Sequence, residues 1–255
     1  MMTDATNATD ATDVPDATSD HPYRTAPAPR ALAPDATRVP YDGQTRMRLT
    51  ISSGLAHARI AIDPAARDLL AIEGSAHPLP RISLAGGELG LSTRRGFGDW
   101  LRMFTSGVGD VEIVLHPAVE WTVAIRGGVS DTEIDLSAGG LARLDISGGC
   151  SDVRLDLPAP AALVPIRISG GASHLDVCRP ADIGVRLGVS GGLSALHLDD
   201  RSFDAIGGTA RIDSDGATRG TPHYELTISG GASDLAILPG PASLATTART
   251  PADRG

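Results

Sequence analysis

Between about residue 45 and residue 239, apolar and polar residues alternate around a recurring tetrapeptide, Gly-Gly-x-Ser. In each copy, apolar residues stand two and four positions before the first glycine and recur after the turn, with Arg, Asp, His, Ser or Ala between them. A period of two is typical of a β-strand with one buried and one wet face. The five copies begin at Gly127, Gly148, Gly170, Gly191 and Gly230.

The copies are spaced by 21, 22, 21 and 39 residues, so the unit is a strand, a Gly-Gly turn, a second strand and a second turn. One unit has too little apolar surface to fold alone, and stacking of units is what builds a core. We therefore predict an all-β fold, a repetitive β-solenoid or an elongated two-sheet β stack built from about 21-residue GGxS repeats. The positions two before the first glycine form one apolar ladder: Ile125, Ile146, Ile168, Val189 and Ile228.

Further strands flank these copies. Residues 49–62 form a degenerate sixth copy, and residues 81–84, 88–91 and 111–115 have strand-like alternation. Loop signals in the 39-residue interval, at 199–222, predict an insertion with an extra hairpin. We expect the glycine pairs to serve the turns because glycine accepts a positive φ.

The two ends of the chain have a different composition. Residues 1–40 repeat Asp-Ala-Thr with Ala and Pro between, and residues 240–255 are similar, so neither has enough apolar surface to form a core. The sequence predicts a disordered tail at 1–40, a single β-repeat domain at 41–239 and a disordered tail at 240–255.

Charge and hydropathy narrow the function. The formal net charge is −9 and all 22 basic residues are arginine. A negative chain without a clustered basic segment is repelled by phosphate backbones, which argues against nucleic-acid binding. The first residues lack the pattern of a secretory signal, and no stretch has the roughly 18 apolar residues of a membrane span. These features predict a cytoplasmic protein or, as an alternative, one peripheral to the inner face of the membrane.

The repeat itself resembles a known family. The units SGGxSxLxLxLP, the proline after the second strand at Pro158 and Pro239, and the Phe203 to Gly208 segment FDAIGG resemble bacterial repeat domains known as putative adhesins. They are similar to toast-rack domains and to the C-terminal domains of cell-wall-active antibiotic response proteins. The resemblance covers about residues 45–239. It implies a β-repeat fold and a role linked to the cell envelope, to stress or to adhesion, and it implies no catalytic residue.

Candidate chemistry is sparse. The serines of GGxS do not stand in GxSxG, so a turn role is the better interpretation. Calcium binding by Gly-Gly-x-Ser-Asp would need copies nine residues apart, and the histidines lack ligand spacing. Cys150 and Cys178 do not form a CxxC motif and are interpreted as ordinary reduced thiols. We therefore assign no catalytic, cofactor-binding or metal-binding residue and expect no cofactor.

One segment breaks the pattern. Residues 94–104 combine three arginines with three of the chain's eight aromatic residues. A protruding segment of this kind docks a protein partner or an anionic membrane surface. The alternative interpretation is that its aromatic rings cap the open end of the stack. The interaction candidates are Arg94, Arg95, Phe97, Trp100, Arg102 and Phe104.

Together these features predict a non-catalytic interaction or scaffold protein that presents a rigid β-repeat surface. One alternative is a membrane-surface stress sensor that docks through residues 94–104. Another is a polysaccharide-active enzyme on a β-helix, which would need carboxylates and aromatic platforms converging on one groove. The sequence leaves open whether the partner is another protein, an anionic membrane or a second copy of the chain.

Overall fold

The computed structural model describes residues 37–75, 79–92, 110–218 and 220–240, and these residues form strands, turns and loops without a helix. The predicted all-β repeat fold is confirmed. The strands are β1 Thr37–Pro40, β2 Arg46–Ile51, β3 Leu55–Ile62, β4 Asp68–Gly74, β5 Arg81–Ala85, β6 Glu88–Ser92, β7 Val111–Leu115, β8 Glu120–Ile125, β9 Val129–Asp135, β10 Gly140–Ile146, β11 Cys150–Asp156, β12 Leu163–Ile168, β13 Ala172–Arg179, β14 Gly184–Val189, β15 Leu193–Leu198, β16 Arg201–Ile206, β17 Ala210–Asp213, β18 His223–Ile228 and β19 Ala232–Pro239.

The strands form two mixed sheets. Sheet A has ten strands in the order β1-β4-β7-β3-β9-β11-β13-β19-β15-β16, and sheet B has nine in the order β17-β14-β18-β12-β10-β8-β2-β6-β5. In each sheet the seven central strands are parallel. Each GGxS copy supplies one strand to sheet B before the Gly-Gly turn and one to sheet A after it. We call such a linked pair of strands a rung.

The register between rungs follows the sequence repeat. Leu144 pairs with Val123 on one side and with Ile166 on the other, and Leu155 pairs with Ile134 and Val177 in the same way. A one-residue slip would turn every apolar side chain outwards, so the buried face enforces this register.

The core lies between the inner faces of the two sheets and contains the predicted apolar ladders in one continuous cluster. Its largest fully buried side chains include Trp121, whose Nε1 donates to the backbone oxygen of His116 at 3.0 Å, and Tyr224, whose hydroxyl donates to the backbone oxygen of Pro158 at 2.5 Å. Each polar group is satisfied by backbone, as burial of an aromatic side chain with a polar end requires.

Rung order in space departs from order along the chain at both ends. The last copy, β18/β19, lies between the rungs β12/β13 and β14/β15, which precede it in sequence. The first copy, β2/β3, likewise lies between β6/β7 and β8/β9. The sequence predicted the rungs but not this insertion of one rung between two others.

Antiparallel strands close the ends. At one end β16 pairs with β15 and β17 pairs with β14, so the 199–222 insertion forms two edge strands in different sheets rather than a hairpin of its own. At the other end β5 pairs with β6, and β1 pairs with β4. Strand β1 spans Thr37–Pro40, and the last strand, β19, ends at Pro239. The division of the chain at residues 40/41 and 239/240 stays a prediction.

Candidate interaction surface

The Gly-Gly turns form one corner of the stack, where the chain passes from sheet B to sheet A. Neighbouring turns are hydrogen-bonded through their backbones: Cys150 N donates to Gly171 O at 2.9 Å, and Gly170 N donates to Gly148 O at 3.2 Å. A Cβ on Gly148 would lie 2.6 Å from the backbone of Gly127. The first glycine of each pair is therefore required by close packing of adjacent rungs.

This finding corrects the expected reason for the glycines. Among the ten glycines of the five pairs, only Gly127 and Gly192 have a φ in the positive region. The left-handed conformation falls instead on the residue after the serine of each copy. Asp, Asn and His are the non-glycine residues most often found there, and five of the six equivalent positions are Asp or His. Their φ values lie between 47° and 53°, at His57, Asp131, Asp152, His174, Ala195 and Asp234.

These six residues stand side by side on the outer side of the corner. The strand pairing places them in the spatial order His57, Asp131, Asp152, His174, Asp234, Ala195, which we call the corner row. His57 Nδ1 lies 2.5 Å from Asp131 Oδ2, and His174 lies 3.3 Å from Asp234 through Nε2 and 3.9 Å from Asp152 through Nδ1. More than half of each of these ionic side chains is exposed.

The outer face of sheet A continues this polar surface. Arg59 lies 3.3 Å from Glu112, 3.8 Å from Glu133 and 3.9 Å from Asp135. Arg154 binds Asp156 through two hydrogen bonds of 2.8 and 3.0 Å. Asp135 and Asp156 occupy the equivalent position of neighbouring strands, whereas Asp176 stands opposite Arg154. Carboxylates therefore outnumber arginines on this face.

The two cysteines have no place in this surface chemistry. Both are free thiols, with Cys150 buried and Cys178 partly buried, as the sequence predicted. Burial raises the pKa of the Cys150 thiol to about 11. Burial, followed by the charge of Asp156, raises that of Cys178 to about 11 as well. A thiol with a raised pKa stays protonated at neutral pH and is a poor nucleophile.

Among the described residues, no group of three or more His, Cys, Asp or Glu side chains is arranged to hold a metal ion. The same residues contain no helix that is long and apolar enough to cross a membrane. A shallow groove of about 500 Å³ lies at the corner near β15, between the turns that contain Gly192 and Gly207. Its walls are mainly backbone and small side chains, so it has few polar groups that could orient a ligand.

All six interaction candidates from the sequence, Arg94, Arg95, Phe97, Trp100, Arg102 and Phe104, lie outside the described residues. The flanking strands nevertheless give their place in the chain. The segment connects β6 of sheet B to β7 of sheet A, and 18 residues separate Ser92 from Val111. In the rung β8/β9 three residues make the same connection. The connection between β6 and β7 is therefore 15 residues longer than the one between β8 and β9.

The corner row was not identified from the sequence. Five of its members fall at the same offset from a glycine pair, which is a visible signal, but the row contains three different residue types: Asp, His and Ala. In a regularly pleated strand, a residue at this position would point towards the core. The left-handed backbone turns these side chains outwards instead.

Comparison with known proteins gives a match among solved structures. No protein-family model matches the chain, and no curated protein matches it. Among solved structures, the chain is similar to a "putative cell adhesion protein" from Clostridium sporogenes ATCC 15579, with a TM-score of 0.53 and 14% sequence identity. The match covers 80% of this chain and 98% of that chain. It supports the adhesin-like fold, while membership of the toast-rack family stays a prediction.

Proposed function

We propose that this protein is a non-catalytic, adhesin-like interaction protein that presents the outer surface of its β stack to a partner in the cell envelope. The observation that carries the proposal is the corner row, in which Asp and His side chains at equivalent positions of five adjoining rungs form one exposed line. The similarity of the fold to that of a putative cell adhesion protein agrees with it.

The backbone explains why such a surface suits binding. The residues before and after each member of the row pair with an adjoining rung, so the position of each member costs little ordering on association. A line of fixed charges favours partners with a matching charge pattern and accelerates their association. Specificity then depends on the sequence of His and Asp along the row.

The test compares binding of two variants to isolated envelope fractions by quantitative cosedimentation. The first variant carries Asp131→Asn, Asp152→Asn and Asp234→Asn, because asparagine tolerates the left-handed backbone while removing the charge. The matched control carries Asp63→Asn, Asp182→Asn and Asp215→Asn, which removes three charges from exposed loops away from the row. We expect at least a tenfold loss of affinity in the first variant only. Equal binding by both would exclude the row, and absence of binding by the unaltered chain would contradict the interaction role.

We also propose that residues 94–104 add a second contact, directed to an anionic membrane surface. The supporting observation is the 18-residue connection at a corner where three residues suffice, since such an insertion is not needed to join the strands. Arginines and aromatic residues together suit the interface of an anionic bilayer.

Cosedimentation with vesicles of phosphatidylcholine containing phosphatidylserine tests this contact. We expect binding to weaken as salt is raised and to be lost when residues 94–104 are replaced by a Gly-Ser linker of equal length. A variant with Phe97→Ser, Trp100→Ser and Phe104→Ser should lose it as well. If the linker variant unfolds at a lower temperature and vesicle binding is absent throughout, the capping interpretation replaces the docking one.

A further inference from the structure

The two outer faces of the stack differ in charge. On the outer face of sheet A, the strands from β7 to β19 carry eight carboxylates and two arginines, Arg59 and Arg154. We call this surface the acidic face. Its carboxylates are Glu112, Asp131, Glu133, Asp135, Asp152, Asp156, Asp176 and Asp234.

The outer face of sheet B has the opposite balance. Seven arginines and five carboxylates alternate with the buried residues of its strands, although the chain as a whole carries a charge of −9. We call this surface the arginine face. Its arginines are Arg46, Arg48, Arg81, Arg143, Arg167, Arg186 and Arg211, and its carboxylates are Glu88, Glu120, Asp145, Asp213 and Glu225.

Ion pairing within each face leaves the difference in place. On the arginine face, Arg46 pairs with Glu120, Arg143 with Asp145 and Arg186 with Asp213. The exposed arginines Arg48, Arg167 and Arg211 form no ion pair with another described residue. On the acidic face, the single guanidinium of Arg59 lies near three carboxylates, so it neutralises only part of their charge. Each face therefore has charge available to a partner.

The two faces also share one spacing. They are the two sides of the same set of rungs, so on both of them charged positions repeat with the strand separation of about 4.8 Å. A charge pattern on one face can thus meet the other face of a second copy over several rungs. A partner with an unrelated spacing would match at one or two positions only.

We propose that two copies of this chain associate through unlike faces, with the acidic face of one copy on the arginine face of the next. This contact is heterologous, so a pair of copies keeps one free acidic face and one free arginine face, and the assembly is open-ended. Because the paired charges are at a surface, the association weakens as salt is raised. The inference rests on the proposed interaction role and names a second copy as one partner.

Sedimentation velocity of the purified full chain tests this proposal with two charge-reversed variants. The first carries Arg48→Glu, Arg167→Glu and Arg211→Glu, and the second carries Glu133→Lys and Asp176→Lys. Circular dichroism and thermal unfolding establish that both are folded. We expect the unaltered chain to sediment faster as its concentration rises in 50 mM salt, and to return to a single slow species in 0.5 M salt.

Each variant alone should stay monomeric, because the arginine face of the first becomes negative and the acidic face of the second loses two thirds of its negative charge. An equimolar mixture should associate again, since each variant supplies the face that the other lacks. A monomeric unaltered chain, a dimer that grows no further, or a mixture that stays monomeric would overturn the proposal. Failure here with retained envelope binding leaves the interaction role intact, whereas loss of both contradicts that role as well.

Discussion

The middle of the stack and its two ends are built from the same kind of rung but are connected differently. In the middle, β8 to β13, each rung lies beside the one that precedes it in sequence. At one end the chain forms the terminal rung β14/β15 and returns to insert β18/β19 inside it, whereas at the other end the inner rung β2/β3 comes first and the terminal rung β6/β7 follows it in sequence. The same repeat therefore serves as a rung wherever its two neighbours present the matching register.

The ends also solve a problem that the middle does not have. A parallel stack exposes an unpaired strand in each sheet, and such edges promote aggregation. Here the outermost strands are antiparallel and short, with four residues each in β1 and β17, and β1 ends in a proline that cannot donate to a further strand. The comparison shows that parallel pairing of equivalent strands builds the core, while antiparallel edge strands terminate the two sheets.

The largest expected contrast between the two regions is in side-chain packing. Ile166 is fully buried in the middle, whereas Leu84 at the end is 54% exposed. We expect Ile166→Ala to lower the free energy of unfolding by about 2–5 kcal/mol because it leaves a cavity between packed rungs. Leu84→Ala should change it by less than about 0.5 kcal/mol. Urea denaturation measures both, and comparable losses would show that the ends are as tightly packed as the middle.

A buried ion pair tests the inserted rung. Arg179 is the last residue of β13, and Asp199 follows the end of β15; strand β19 lies between these two strands. The Arg179 guanidinium is almost fully buried and binds the Asp199 carboxylate at 2.6 Å. Asp199→Asn would leave a buried guanidinium without its counter-charge, at a cost of about 3 kcal/mol. The control Asp213→Asn breaks the more exposed pair with Arg186 and should cost less than about 1 kcal/mol. Equal effects in thermal unfolding would mean that the pair does not hold β19 in place.

The glycine corner gives a smaller but cleaner contrast. Gly148→Ala places a Cβ against the backbone of the adjacent rung, and overpacking of this kind costs about 1–3 kcal/mol. Gly188, in strand β14 nearer the end of the stack, has no atom beyond its chain neighbours within 4 Å of the place where a Cβ would lie, and it has no positive φ. Gly188→Ala should be neutral or slightly stabilising because glycine weakens strands. Guanidinium denaturation of the two variants tests the reason for the glycine. Gly148 has no positive φ, so if glycine served only to allow such a φ, Gly148→Ala would not lower the free energy of unfolding.

The smallest effect concerns pH at the β1 end. Burial raises the pKa of Glu73 above its ordinary value of 4.5, Arg38 opposes this shift, and Glu112 on the facing strand adds to it. A raised pKa means that the folded state binds the proton more tightly, so this group's contribution is present below about pH 4.5 and is lost as pH rises through the folded pKa. Glu73→Gln should therefore stabilise the protein relative to the unaltered chain at pH 7 and not at pH 3.5.

Thermal unfolding of both proteins across this range checks the sign. A difference that stays constant with pH would show that Glu73 does not titrate in the folded state as its surroundings indicate.

Much of the rung could be predicted from the sequence, because local alternation and the spacing of glycine pairs determine which residues face inwards. The degenerate copy at 49–62 follows the same register, with Leu49 paired to Val123 and Ile60 to Ile134. The corner row could not be predicted in the same way. A left-handed residue inside a strand has no sequence signature beyond a preference for Asp, Asn or His. Other residues of these types within the strands, such as Asp145, Asp176 and His197, have no positive φ.

By itself, the sequence determined the alternation, the length of a rung, its register and the position of the last strand, since these depend on interactions between residues close along the chain or at equivalent positions. Only the tertiary structure decided which rung lies beside which. All rungs share one register, so local preferences do not distinguish a neighbour in sequence from a distant copy. The choice depends on the end strands, the Arg179–Asp199 pair and the closure of both sheet edges, which exist only when the whole stack has formed.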